Sequence, residues 1–193
     1  MSLSTKTAPT GEPITLAEAK AHLNVDSADD NTYITTLIKV ARLQFETDTG
    51  RAYVSRTYYL DLDDFPNGDI LLPMPPLSSV TGVTYYSTSG ATSTVSSSVY
   101  GTDTVATPGR LVLQSTKSWP SANLRTYNGV RVEYVAGYGA STSASIPVLA
   151  KQGMLLLIGD MYKDRETAIS GAIRTKIPTY SNIVWGCKVP TFP

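Results

Sequence analysis

The stretch DDNTYITTLIKVARLQFETDTG, residues 29–50, decides the fold because it sets a helical period that the following segment abandons. Asp29 or Asp30 can cap its first turn, and Gly50 supplies a C-terminal stop. Its apolar residues recur at three- and four-residue spacing, at Ile34, Leu37, Ile38, Ala41 and Phe45. This pattern predicts an amphipathic helix over residues 29–50.

A shorter helix is predicted just upstream, in ITLAEAKAHLNV, residues 14–25. Thr15 and Glu18 have the spacing of a capping box, and Asn24 is the expected stop. Residues 1–13 precede this helix without an apolar pattern and are predicted to be a flexible arm.

The period changes from 3.6 to 2 downstream, in AYVSRTYYLDLDDF, residues 52–65. Tyr58 and Leu60 share one face with Val54, while Tyr59 and Asp61 share the other, which predicts a half-buried antiparallel strand. Further strands are predicted at 70–72, 79–87, 92–95, 109–114 and 129–137. Turn residues separate them at short intervals, which favours one compact antiparallel sheet or a small barrel.

A proline-rich corner interrupts these strands in ILLPMPPLSSVTGVTYY, residues 70–86. Prolines 73, 75 and 76 cannot donate to a sheet, so they predict a rigid elbow that ends one strand and aims the next. Tyrosine, which occurs twelve times in the chain, is enriched at interfaces. We expect the exposed side of the elbow and its strand to contact a neighbour; a buried crossover within the β-domain is the alternative. The expected contact residues are Met74, Pro75, Tyr85 and Tyr86.

The helical period returns in SIPVLAKQGMLLLIGDMYKDRE, residues 145–166. Ser145 can cap this helix, and Pro147 lies near the first turn, where its missing donor costs nothing. The middle is apolar almost all round, so this helix is predicted to be buried on more than one side, by its own core or by a neighbouring subunit. The candidate interface residues are Leu149, Met154, Leu155, Leu157, Ile158 and Met161.

The last stretch, residues 167–193, contains no Asp or Glu and is interrupted by prolines that limit helix formation. Its mixture of basic, aliphatic and aromatic residues is typical of a tail that docks on a partner. An extension packed on the chain's own β-domain is the alternative. The candidate docking residues are Arg174, Lys176, Ile177, Tyr180, Trp185 and Phe192.

These segments together predict an α+β protein. Two N-terminal helices, residues 14–50, and one C-terminal helix, residues 144–166, form a small helical bundle. An antiparallel β-domain, residues 51–143, is inserted between them, and an extended tail, residues 167–193, follows.

The composition excludes several classes of function. Lys and Arg together number 16, and so do Asp and Glu, which gives a formal net charge of zero. A protein that works by gripping nucleic acid is normally basic. The single cysteine rules out an intramolecular disulfide, and the chain lacks an apolar run long enough for a membrane span or a signal peptide. We therefore expect a soluble protein.

The residues that could carry catalysis do not form a constellation. His22 is the only histidine, and Cys187 has no base beside it in the sequence. The acidic run LDLDDFPNGD, residues 60–69, departs from the spacing of a calcium loop because Phe65 occupies a ligand position. The sequence therefore predicts no enzyme, no metal and no cofactor; a calcium-dependent module on Asp61, Asp63, Asp64 and Asp69 is the least favoured hypothesis.

Five segments in this order resemble the head–tail connector proteins, also called adaptor or head-completion proteins, of tailed bacteriophages. The resemblance covers residues 14–166. It is carried by ITLAEAKAHLNVD, DDNTYITTLIKVARLQFETDTGR, LPMPPLSSVTGVTYY, VRVEYVAGYG and IPVLAKQGMLLLIGDMYKDRE.

This resemblance implies a structural virion protein that forms a homo-oligomeric ring, typically of twelve copies, below the portal protein in the virion neck. The ring would be assembled in the host cytoplasm, extend the channel for the genomic DNA without sequence-specific binding, and join the capsid to a stopper or tail-completion protein. The tail at 167–193 would then bind the portal, and no membrane is involved. A different virion component, such as a baseplate or fibre-type β-module that binds a receptor or partner protein, is the alternative.

Overall fold

The computed structural model describes residues 1–139, 145–165 and 178–190, and the chain divides into two compact units. A helical unit comprises Thr10–Val54 and Gly139–Pro193, and a β-unit comprises Met1–Pro9 and Ser55–Tyr138. The predicted α+β class is confirmed.

The described residues of the helical unit form four helices: α1, Leu16–Leu23; α2, Asn31–Thr49; α3, Val148–Lys163; and α4, Pro178–Cys187. The predicted capping box starts α1, where the Glu18 N–H donates to Thr15 Oγ1 at 3.1 Å and the Thr15 N–H donates to Glu18 Oε2 at 2.7 Å. This Thr15 N–H lowers the pKa of the Glu18 carboxyl. Asn24 ends α1 in the left-handed conformation, as predicted.

Helix α2 ends as predicted but begins differently. Gly50 takes a φ of 69°, and its N–H donates to the Glu46 carbonyl at 2.9 Å. Asp30 occupies the capping position, yet its side chain makes no cap hydrogen bond. Its carboxylate instead accepts hydrogen bonds from Tyr162 and Arg165 at the end of α3, and the Tyr162 bond is the main reason why the pKa of Asp30 is lowered.

Helix α4 corrects the expectation that prolines limit helix formation in the tail. Pro178 stands at the first helical position, where a missing N–H costs nothing. Ile183 and Cys187 are buried. Helix α4 packs against α3 at Gly153. A Cβ added to Gly153 would lie 2.5 Å from Phe45 Cε2 of α2 and 2.9 Å from Ile183 Cγ2 of α4. Gly153 therefore lets α2, α3 and α4 approach closely.

A buried charge network ties the chain before α1 to α2. Arg42 Nε donates to Glu12 Oε2 at 2.6 Å, and Arg42 Nη1 donates to Glu46 Oε2 at 3.1 Å. Burial alone would lower the pKa of Arg42, but the two carboxylates raise it. Glu46 Oε1 also accepts the Tyr53 N–H at 3.0 Å, so the network holds the chain on both sides of α2.

The described residues of the β-unit form two antiparallel sheets rather than the single sheet or barrel predicted. The larger sheet has the order β1-β2-β8-β4-β5 and the smaller has β3-β7-β6. The strands are β1, Ser2–Thr7; β2, Arg56–Leu62; β3, Ile70–Leu72; β4, Leu77–Tyr86; β5, Thr92–Thr94; β6, Tyr100–Asp103; β7, Gly109–Leu113; and β8, Val130–Ala136.

Strand β1 corrects the prediction of a flexible arm at residues 1–13. Ser2–Thr7 pair antiparallel with β2, and Ser2 lies opposite Asp61 and Thr5 opposite Tyr58. All six side chains of β1 are exposed, so the strand is held by backbone pairing and not by burial of an apolar face. The pairing covers one edge of β2 and makes β1 the edge strand of the larger sheet.

The proline elbow behaves as predicted, since β3 ends at Leu72 and β4 begins at Leu77. Met74 within it has a φ of 61°, in the left-handed region. The Tyr134 hydroxyl donates to the Pro73 carbonyl at 2.9 Å, and burial raises the pKa of Tyr134. The elbow is thus anchored on β8, whose alternate residues are buried in the core of the β-unit.

Candidate assembly surfaces

The outward side of α2 carries an uncharged stripe. Val40 is 42% exposed and Leu43 is 53% exposed. Each residue advances about 100° around a helix, so the residues around Leu43 lie opposite the buried side of α2. We define the α2 stripe as the five exposed residues on this side, Thr32, Thr36, Val40, Leu43 and Thr47.

The threonines of the α2 stripe add little polarity. Thr36 Oγ1 donates to the Thr32 carbonyl at 3.1 Å, and Thr47 Oγ1 donates to the Leu43 carbonyl at 2.9 Å. Because these hydroxyls already have partners within the helix, covering them costs less than burying an unsatisfied polar group. The stripe can therefore pack against another apolar surface.

A second exposed apolar group lies where α3 begins and α4 ends. Val148 is 82% exposed, Leu149 46% and Trp185 80%. Leu149 Cδ2 lies 3.4 Å from the position of a Cβ on Gly186, which follows Trp185 in the chain, so the start of α3 lies against the end of α4. We call Val148, Leu149 and Trp185 the α3–α4 patch. Together with Val40 and Leu43, they are the large exposed hydrophobic residues in the described part of the helical unit.

The predicted interface residues of α3 are divided between core and surface. Met154 is 1% exposed and Ile158 is fully buried, which corrects the prediction for these two. They lie on the side of α3 that also carries the buried Ala150 and Gly153, so they belong to the chain's own core. Leu149 is exposed, and the remaining three are half-buried: Leu155, Leu157 and Met161.

Two of the predicted docking residues of the tail fall within the described residues. Trp185 is exposed, whereas the Tyr180 hydroxyl donates to Asp48 Oδ2 at 2.6 Å and the Tyr180 ring meets Phe45 edge-on. Burial and the bond to Asp48 raise the pKa of Tyr180, which docks on its own α2. The other four lie outside the described residues: Arg174, Lys176, Ile177 and Phe192.

The predicted contact residues of the β-unit are mostly engaged within the chain. Pro75 is buried, which corrects its prediction, while Met74, Tyr85 and Tyr86 are half-buried. The Tyr85 ring contacts Phe65 edge-on, with ring centroids 5.8 Å apart. The guanidinium of Arg125 lies 4.1 Å from the centre of the Tyr86 ring. Each tyrosine therefore offers only part of its surface to a partner.

The polar face of the larger sheet is covered by cation–π and ion pairs that sequence reasoning missed. Arg131 binds both carboxylate oxygens of Asp61, at 2.7 and 3.0 Å, and its guanidinium lies 4.4 Å from the Tyr59 ring centre. Lys6 binds Glu133 at 2.7 Å. Asp61 is only 7% exposed, which corrects its expected place on a solvated face. These contacts depend on strand register, which local sequence patterns do not reveal.

The acidic run after β2 does not converge on a common point. Asp63 and Asp64 each accept a backbone N–H, and Asp69 accepts a hydrogen bond from Arg110 at 3.0 Å. Across the described ranges of the chain, no group of three or more His, Cys, Asp or Glu residues is placed to hold a metal ion. An open cleft of about 550 Å³ adjoins Asp63 and Asp64 and contains one further charged residue, Arg125.

The residues considered for nucleophilic catalysis, His22 and Cys187, lie in the helical unit. Cys187 is buried, and burial raises the pKa of its thiol, which opposes a thiolate nucleophile at neutral pH. His22 is exposed on α1, and its Nε2 lies 3.5 Å from the position of a Cβ on Gly159 of α3. Among the described helices, none is long and apolar enough to cross a membrane.

Comparison with known proteins identifies a related family. Residues 13–101 match the family model described as "Phage gp6-like head-tail connector protein". This match confirms the resemblance to head–tail connector proteins that the sequence indicated. No curated protein sequence shows significant similarity to the chain.

Solved structures share the fold over the whole chain. The neck of an empty gene transfer agent (GTA) particle, computed with C6 symmetry, contains a chain with a TM-score of 0.83 and 22% identity. The virion of a native GTA particle contains one with 0.82 and 20%, and the native neck computed with C12 symmetry one with 0.79 and 22%. Each match covers 100% of this chain and 98% of the other. At these identities the likeness shows the fold.

Proposed function

We propose that this protein is a structural head–tail connector of a phage-like virion. It forms an adaptor ring in the neck, below the portal, which extends the DNA channel and joins the capsid to the stopper or tail. The observation that carries this proposal is the family match over residues 13–101, which spans α1, α2 and strands β2 to β5. The full-length fold match to chains in particle necks supports it.

The ring is proposed as a dodecamer. Necks of the related fold are described with C6 and C12 symmetry, and twelve copies satisfy both. A cyclic ring requires each subunit to present two different surfaces, one to each neighbour. The half-buried or exposed residues Leu149, Leu155, Leu157 and Met161 of α3 remain candidates for such a surface.

The charge of the chain is compatible with a channel through which DNA slides. Affinity for duplex DNA grows with the number of phosphates that cationic side chains neutralise. With 16 basic and 16 acidic residues, the subunit has no excess of cations with which to hold the duplex. This balance supports the proposal that the genome passes through the ring without being held tightly.

The tail after α3 is proposed as the segment that reaches the portal. Residues 167–193 contain no acidic side chain and include Arg174 and Lys176. Met74, Tyr85 and Tyr86 of the β-unit are proposed to contact a neighbouring subunit or the next neck protein through the parts of their surfaces that stay exposed.

The portal contact is tested by reversing charge at Arg174 and Lys176. Deleting residues 167–193 would be less informative, because it would remove the buried Ile183 and Cys187 from the helical unit. We expect Arg174→Glu with Lys176→Glu to leave ring formation intact but to yield particles whose heads lack tails, counted by electron microscopy. Lys117→Glu, an exposed charge reversal in the β-unit, is the control. Normal yields of tailed particles from the double variant would contradict the portal contact.

A further inference from the structure

We propose that the α2 stripe is one half of the contact between neighbouring subunits, and that the α3–α4 patch of the next copy is the other half. This inference rests on the proposed ring and assigns its two faces. Trp185, which the sequence predicted to dock on the portal, is here assigned to the contact between subunits.

The first argument is the position of the two surfaces. The buried side of α2 includes Phe45, which meets Gly153 of α3 and the ring of Tyr180 of α4. The α2 stripe lies on the opposite side of the helix and therefore points away from α3 and α4. A helix with its side chains is about 10 Å across, so the stripe and the α3–α4 patch form two separate surfaces of one unit. Two different surfaces on one subunit are what a head-to-tail ring requires.

The second argument is chemical complementarity. The five residues of the α2 stripe and the three of the α3–α4 patch are uncharged, and an exposed lysine borders each surface: Lys39 lies one turn before Leu43, and Lys188 lies three residues after Trp185. Trp185 offers a large aromatic surface, and its exposure of 80% leaves nearly all of it uncovered. Leu43 lies one turn from Lys39, Val40 and Thr47. Val40 and Thr47 are small, so a large ring can pack beside Leu43 on their side. Apolar burial then drives association without the desolvation of charge.

The third argument is extent. The α2 stripe runs from Thr32 to Thr47, which at 1.5 Å per residue is roughly 22 Å of helix surface. If the basic tail docked on this helix, acidic residues would be expected along it. If nucleic acid docked there, basic residues would be expected. The stripe has no acidic residue for a basic tail, and Lys39 at its edge is too little positive charge for nucleic acid, so we infer that a second copy of this chain, which carries the apolar α3–α4 patch, is the occupant.

Charge placed on the stripe tests the assignment. We expect purified wild-type chain to form rings visible by negative-stain electron microscopy, and Leu43→Glu to remain monomeric by mass photometry. Val148→Glu, on the opposite surface, should have the same effect. Thr35→Glu is the matched control, because Thr35 is exposed on α2 but lies outside the stripe. Unchanged circular dichroism and melting temperature would establish that each variant is folded. Normal rings from folded Leu43→Glu would overturn the assignment.

Cross-linking tests the pairing itself. In a Cys187→Ser background, chains with Leu43→Cys are mixed with chains that carry Trp185→Cys and treated with a short bis-maleimide. The proposal predicts covalent dimers in the mixture and a ladder of multimers when one chain carries both substitutions. If rings form but covalent dimers appear only when every chain carries Leu43→Cys, the pairing is wrong and the proposed function still stands. A wild-type chain that forms no ring, alone or on particles, would contradict the proposed function and this pairing with it.

Discussion

At the scale of single residues, the absence of a side chain at Gly153 lets three helices pack closely. A side chain here would meet the ring of Phe45 and a methyl group of Ile183 at distances that real Cβ atoms do not show. We expect Gly153→Ala to lower the free energy of unfolding by about 1–3 kcal/mol, because overpacking outweighs the gain in helix propensity. Denaturant titration of the purified chain measures this change.

The control for Gly153 lies in the same helix. A Cβ at Gly159 would meet nothing closer than His22 Nε2 at 3.5 Å, an ordinary contact. Gly159→Ala should therefore raise the free energy of unfolding by up to about 1 kcal/mol through helix propensity alone. If the two substitutions changed stability equally, the close approach at Gly153 would not exist.

Arg42 and Arg110 each bind two carboxylates but differ in burial, so the effects of replacing them on stability can be compared. Its side chain is 7% exposed and that of its partner Glu46 is 4% exposed. We expect Arg42→Met to lower the free energy of unfolding by about 3–5 kcal/mol, because the carboxylate of Glu46 would stay buried without its cation. Denaturant unfolding followed by circular dichroism gives the value.

Arg110 also binds two carboxylates, those of Asp69 and Asp103, but its side chain is 44% exposed. Water and salt screen such pairs, so Arg110→Met should change stability much less than Arg42→Met. A comparable loss from both would mean that burial does not set the strength of the Arg42 network.

At the scale of elements, local signals predicted more than long-range pairings did. The capping box at Thr15 and Glu18, the stop at Gly50 and the strand at residues 129–137 depend on neighbouring residues, and they appear as predicted. Strand β1 and the division into two sheets were not predicted, because they depend on pairing between distant segments. The candidate residues of α3 show the same limit: a helix apolar on all sides does not reveal which side is core, so Met154 and Ile158 were assigned to an interface.

Strand β1 gives a prediction at this scale. Deleting residues 2–8 removes the partner of one edge of β2 while β8 still covers the other edge. In hydrogen exchange, we expect the β2 amides that face β1 to lose protection and those that face β8 to keep it. The two sets of amides in one strand are each other's control. Protection unchanged at both edges would contradict the pairing of β1 with β2.

At the scale of the whole molecule, the chain combines a match to a connector family model, a fold shared with chains in particle necks and two exposed apolar surfaces. The sequence indicated the connector family from the order of five segments, but it did not locate the α2 stripe. The signal was present as Thr32, Thr36, Val40, Leu43 and Thr47, an uncharged series at helical spacing. Threonine counts as polar in a sequence, and only the helix shows that two of these hydroxyls donate to its own carbonyls.

Whether this chain forms a ring in a virion neck can be seen in a cryo-electron microscopy reconstruction of the neck of the particle that contains it. We expect a ring of twelve copies below the portal, with the α2 stripe of each copy against Trp185 of the next. A neck whose rings are all accounted for by other proteins, with no density for this chain, would contradict it.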